Sequence, residues 1–95
     1  MRIDIPDQGK VLAKYGAEAQ SLIHCEELAE LAQAVSKMRR AVRSGADLTA
    51  ARYGILEEAA DVLICMKQMQ ELYKISDMEI QSMVRRKCLR QEARL

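Results

Sequence analysis

Apolar and polar positions in this chain alternate in steps of three and four, the rhythm of α-helices rather than of strands. Between residues 17 and 42, the row Leu28, Leu31, Val35, Met38 and Val42 predicts a helix of about 26 residues, ~39 Å long at the standard rise. Ile55, Ala59, Val62, Met66, Met69 and Tyr73 repeat the pattern further on, with Leu56, Ala60 and Leu63 as a second row beside them. A helix apolar over that much of its circumference is covered from more than one side. In a chain of 95 residues, a second subunit is the expected source of the extra cover.

The breaks between these rows define four helices. A short first helix is expected from about Asp7 to Tyr15, with Pro6 near its start and Gly16 as its stop. The second follows over Ala17 to Val42. "RSGADLT" is the one clear loop, and it offers Asp47 or Thr49 as the N-cap of the third helix. In "SDME", Ser76 and Glu79 make a capping box for a fourth helix that runs to the end. No repeat, linker or low-complexity tract interrupts residues 1–95, so one domain is expected. The predicted fold is an all-α antiparallel bundle of about four helices, completed by oligomerisation.

Composition narrows the chemistry. There is no Trp or Phe and only 3 Tyr, so the core must be built from aliphatic side chains and Met. Fifteen Lys and Arg against 14 Asp and Glu give no net field to attract nucleic acid or an anionic membrane. Cys25, Cys65 and Cys88 are far apart in apolar surroundings and are expected to be buried free thiols in a reducing compartment. No leader-like apolar segment opens the chain, and no apolar run reaches the ~20 residues of a membrane span. A soluble cytoplasmic protein is expected. A single histidine excludes His–Cys zinc sites and His-assisted triads built within one chain. Carboxylates, Lys and Arg are left to do any chemistry.

Two acid pairs stand out. In "HCEELAELAQAVSK", Glu27 and Glu30 share a helix face bracketed by Ile23 and Ala34; in "ILEEAADVLICM", Glu58 and Asp61 are bracketed by Gly54 and Cys65. None of the four has Lys or Arg three or four residues away, and His24 is the nearest candidate cation. Glu26 lies in a mixed row with Gln33 and Lys37 and belongs to a solvated flank; Glu57, beside Tyr53, Ala60 and Ile64, is intermediate. An isolated pair of this kind is usually surface charge. Two pairs on consecutive antiparallel helices, each at the edge of an apolar seam, are expected to face each other. Four such carboxylates in a partly dry groove must take up protons or hold cations. Mg²⁺, with Mn²⁺ as a substitute, suits an all-oxygen site that leaves positions for substrate phosphates. Gly54 leaves space one turn before Glu58.

"EELAE" followed after a loop by "EAAD" resembles the EExxE…ExxD signature of MazG-like, all-α nucleoside triphosphate pyrophosphohydrolases. "YG…Q" at Tyr15, Gly16 and Gln20, and the closing "KCLRQEAR", extend the resemblance over most of the chain. It implies Mg²⁺-dependent cleavage of a (d)NTP between the α and β phosphates, giving a monophosphate and pyrophosphate. Glu27, Glu30, Glu58 and Asp61 would then be both metal ligands and catalytic groups.

Phosphates also call for positive charge. Lys87, Arg90 and Arg94 form a basic stripe on the fourth helix. In an unrelated helix such a stripe is a solvated face, but the resemblance implies a phosphate-binding end. Lys87, in line with Ile80 and Val84, is expected to lean toward the core. Lys37 lies on nearly the azimuth of Glu30, roughly 10 Å further along, a distance that suits the tail of a triphosphate; Arg40 is a weaker candidate. Tyr15, Tyr53 and Tyr73 are the only side chains that can stack on a base. A competing reading is a non-catalytic helical interaction module, such as a phage or antitoxin-like partner protein. A nucleic-acid binder working through "RRKCLRQEAR" is disfavoured by the neutral charge balance and by Glu92 within the run.

Overall fold

The computed structural model describes residues 1–95 and contains four α-helices and no strand: α1 (Gly9–Tyr15), α2 (Ala17–Ser44), α3 (Thr49–Tyr73) and α4 (Asp77–Ala93). No helix is long and apolar enough to cross a membrane.

The helix boundaries have local causes. Asp7 Oδ1 accepts the Gly9 N–H at 2.7 Å, and a Cβ at position 9 would sit 3.0 Å from that oxygen. Glycine therefore permits the tight turn, and α1 begins two residues later than Asp7. Gly16, at φ 83°, separates α1 from α2. The second helix runs two residues past Val42 and closes in a Schellman motif, with Gly45 in the left-handed region and Ala46 N–H donating to the Ala41 carbonyl at 3.0 Å. At α3, the capping oxygen comes from Asp47, one residue outside the cap position. It accepts from Thr49 N–H at 2.8 Å and from the Thr49 hydroxyl at 2.7 Å. The predicted capping box of α4 is present: Glu79 N–H donates to Ser76 Oγ at 3.1 Å, and Ser76 N–H donates to Glu79 Oε2 at 2.7 Å.

The four-residue turn folds α2 and α3 into an antiparallel hairpin, with Gln20 opposite Gln68 and Ser21 opposite Tyr73 at the far end. Helix α1 packs across that end. The seam between the long helices is not the one the apolar pattern predicts. On α2 it consists of Gln20, His24, Glu27, Leu31, Ala34, Met38 and Ala41, all buried or half-buried. Leu28, Val35 and Val42 each follow one of these by a single residue, so they are turned about 100° away and are 46%, 44% and 60% exposed. On α3, Ile55, Ala59, Val62 and Met69 do turn inward, whereas Leu56, Met66 and Tyr73 are exposed. A polar row has displaced the apolar one because the inner positions are used for hydrogen bonds and carboxylates.

The apolar core is consequently thin. Ala34 and Cys65 are its only buried apolar members, at 7% and 4% exposure. Cys25 and Cys88 are exposed, contrary to the expectation of three buried thiols, and all three cysteines are free. Helix α4 stands apart: none of its Cα atoms lies within 8 Å of a Cα of another helix. It meets α3 through a hydrogen bond from Gln70 Nε2 to Asp77 Oδ1 at 2.7 Å, and meets α3 and the N-terminal segment across a groove of about 330 Å³ that includes Ile3, Ile5, Leu63, Met66, Ile80 and Val84.

Candidate metal centre

The antiparallel register sets the two acid pairs against each other. Ligand-capable oxygens of Glu27, Glu58 and Asp61 all lie within 4.8 Å of one another. Glu27 lies within hydrogen-bonding reach of Asp61, and Glu58 of Glu30, were one partner of each pair protonated. All four sequence-predicted carboxylates therefore converge, although Glu30 and Asp61 remain exposed while Glu27 and Glu58 are half-buried. Glu26 and Glu57 point to solvent.

Their electrostatics are those of an uncompensated cluster. Burial, followed by the charges of Glu30 and Asp61, holds the Glu27 carboxyl above its ordinary 4.5. Burial also raises Glu58, with Glu30 and then Asp61 adding to it. The Cys65 thiol is pushed up by burial and by the nearby Glu27 and Asp61. One oxygen on each of two side chains, Glu27 Oε2 and Glu58 Oε2, is buried without a hydrogen-bond partner. Native proteins seldom leave such atoms unsatisfied. Two orphaned, desolvated carboxylate oxygens beside a third carboxylate are the donor set of a hard divalent cation, so these residues fit Mg²⁺ or Mn²⁺.

His24, the nearest candidate cation in the sequence, joins a buried chain of amides. Its Nε2 and the Gln20 Nε2 donate to Gln68 Oε1 at 2.7 and 2.9 Å. Gln68 Nε2 donates to Gln8 Oε1 at 3.0 Å, and Gln8 Nε2 donates to the Pro6 carbonyl at 2.9 Å. This chain locks α1 onto the hairpin one turn from the acids. The available signal was the spacing of Gln20, His24 and Glu27, which continues in the same rhythm into Leu31, Ala34, Met38 and Ala41.

On the other side of the acids, a cavity of about 710 Å³ opens between α2 and α3, lined by Glu30, Gln33, Lys37, Asp47, Gly54 and Glu58 among others. Lys37 thus shares one groove with two of the four acids. A Cβ at Gly54 would touch nothing within 4 Å; the groove there is open whether or not glycine supplies the room. Lys87, Arg90 and Arg94 do not line this cavity and are exposed on α4, so Lys87 does not lean inward as expected. Tyr15, Tyr53 and Tyr73 are more than half exposed and also lie outside it.

Compared with models of protein families, with curated proteins and with solved structures, the chain gave no match.

Proposed function

We propose that the chain is an Mg²⁺-dependent, MazG-like nucleoside triphosphate pyrophosphohydrolase that acts as a homo-oligomer. The observation behind this reading is the convergence of Glu27, Glu30, Glu58 and Asp61, with two buried unpartnered oxygens, at the end of a groove that also carries Lys37. Glu27, Glu58 and Asp61 would hold the ion, with Glu30 at the groove-side edge. A divalent cation bound there supplies positive charge that offsets both the carboxylates and the substrate's phosphates.

The remaining work falls to the chain's own groups. Lys37 anchors the outer phosphates by a charge-assisted contact, which orients the triphosphate along the groove with its α-phosphorus near the acids. Glu30, outside the set that would hold the ion, accepts a proton from water as that water adds to the α-phosphorus. The bond from the α-phosphorus to the bridging oxygen breaks, and pyrophosphate leaves with the electron pair.

A screen of canonical and damaged nucleotides with Mg²⁺, read as pyrophosphate release, tests the proposal. Glu58→Gln and Asp61→Asn should abolish turnover while preserving or raising metal-free thermal stability, because each relieves repulsion in the cluster. No pyrophosphate from any nucleotide, together with no Mg²⁺-induced rise in melting temperature, would leave the helical interaction module as the better reading.

A further inference from the structure

The acid cluster has a neighbour of different chemistry. The antiparallel register is fixed by three facing pairs, Gln20 with Gln68, Glu27 with Asp61, and Glu30 with Glu58. Between the first pair and the second, His24 on α2 comes level with Cys65 on α3. Both side chains are more than nine-tenths buried. His24 Nδ1 has no hydrogen-bond partner, and the Cys65 thiol is free.

The amide chain fixes the state of the histidine. The Pro6 carbonyl only accepts, so it orients Gln8, and Gln8 in turn orients Gln68 with its Oε1 toward His24. His24 Nε2 therefore carries the proton it shares with that oxygen at 2.7 Å. Nδ1, on the other edge of the ring, keeps a lone pair with nothing to receive. A histidine with one nitrogen donating to a carbonyl oxygen and the other bare is set up as a metal ligand.

Cys65 offers a second soft donor. It follows Asp61 by four residues, so thiol and carboxylate rise from one face of α3 a turn apart, the spacing at which a helix gives an ion two ligands. The charges that reach this thiol are those of Glu27 and Asp61, and Glu27 Oε2 is itself buried and unpaired. A lone histidine rules out sites built from His and Cys alone, but not one that borrows these carboxylates. The oxygens of Glu27, Glu58 and Asp61 already lie within 4.8 Å of one another; an ion has to draw the nitrogen and the sulfur in.

We propose that His24 Nδ1, Cys65 Sγ, Glu27 and Asp61 form a site for a thiophilic divalent cation of the Zn²⁺ class, overlapping the acid cluster. A four-ligand set of nitrogen, sulfur and oxygen suits Zn²⁺ and suits Mg²⁺ poorly. The thiol proton passes to solvent as the metal–sulfur bond forms. Such an ion takes Glu27 and Asp61 for itself and so excludes Mg²⁺ from them. The ligand set stands without the nucleotide reading; the competition with Mg²⁺ rests on it.

Co²⁺, the spectroscopic stand-in for Zn²⁺, tests this. Cys25 and Cys88, both exposed, are replaced by Ser, which leaves Cys65 as the only thiol. Co²⁺ added without nucleotide should give a sulfur-to-cobalt charge-transfer band and visible bands of four-coordinate intensity. Cys65→Ser should remove the charge-transfer band; if that variant does not fold, the band in its parent still identifies the sulfur. His24→Gln should weaken Co²⁺ binding at least about tenfold, the loss that even an outer partner of a ligand brings. In the parent, coupling of a spin-active cadmium isotope to the ring protons of the single histidine reports the nitrogen ligand without substitution. A folded parent with no charge-transfer band overturns the proposal, and so does one with no such coupling. A Mg²⁺-induced rise in melting temperature without the cobalt band leaves the Mg²⁺ reading standing and removes this one. The band without pyrophosphate release from any nucleotide does the reverse.

Discussion

Gln68→Leu should destabilise the protein by about 3–9 kcal/mol, because it orphans three buried groups at about 1–3 kcal/mol each. Gln68 accepts from His24 Nε2 at 2.7 Å and from Gln20 Nε2 at 2.9 Å, and donates to Gln8 Oε1 at 3.0 Å. All four side chains are at least nine-tenths buried, so water does not readily replace the lost partner. Leucine is close in size, which confines the change to the hydrogen bonds. His24 has no fallback, since its Nδ1 is already buried without a partner. A loss of this size is a large share of the ~5–15 kcal/mol that holds a domain together. Urea unfolding followed by far-ultraviolet circular dichroism measures it; the protein concentration must be held fixed, because association adds to apparent stability. Gln91→Leu on the exposed face of α4 is the control and should stay within about 0.5 kcal/mol of the parent. If Gln68→Leu falls within about 1 kcal/mol of the parent at unchanged m value, the amide chain is not dry and does not hold α1 to the hairpin.

Three further outcomes follow from the electrostatics and the caps. Glu27 and Glu58 are held above 4.5 in the folded chain, so their stabilising effect is complete below that pH and is lost as pH rises through the elevated values. Metal-free protein in chelator should therefore become less stable from about pH 4.5 toward neutrality, and Mg²⁺ should flatten that slope in thermal melts. Glu79 has the opposite sign, because the Ser76 N–H and then its hydroxyl lower it, so its contribution is lost only as the pH falls below 4.5. Ser76→Ala should cost α4 about 1 kcal/mol of helix stability, seen as lost helicity with little change in the hairpin, since no other helix packs closely on α4. Under the nucleotide reading, Lys37→Met should lower kcat/KM at least about tenfold, the value of one charge-assisted contact, while Mg²⁺ binding without nucleotide, measured by calorimetry, stays unchanged.

The parts of this molecule that were legible in the sequence are those governed by local rules. Gly16, Gly45 and the Ser76–Glu79 box end or start helices through contacts within a few residues, and each lies where its residue type demands. The acid quartet was legible because helical spacing and hairpin connectivity together force Glu27 and Glu30 to meet Asp61 and Glu58. The inner face of α2 was not. Hydrophobicity alone selects Leu28, Val35 and Val42, yet one residue earlier Glu27, Ala34 and Ala41 turn inward. The choice between the two rows was decided by partners distant in sequence, Gln68 for Gln20 and His24, and Cys65 and Asp61 for Glu27. The placement of Lys87, Arg90 and Arg94 failed for a related reason: their helix phase is local, but whether α4 packs at all is not.

These features have one physical origin. Five members of the α2–α3 seam, Gln20, His24, Glu27, Glu58 and Gln68, are polar where an ordinary hairpin would place Leu or Val. Each of these substitutions forfeits the ~1.5–3 kcal/mol that a buried aliphatic side chain contributes. The three amide and imidazole members recover part of it through mutual hydrogen bonds; the two glutamates, buried beside other carboxylates, recover none without a cation. The hairpin is thus weakest at the position where the proposed chemistry requires its charges. The apolar side chains that could offset this loss have not vanished from α2; they have been rotated onto its outer face. Under the proposed reading, a metal ion between the helices supplies part of the missing stability, and its removal should lower the melting temperature.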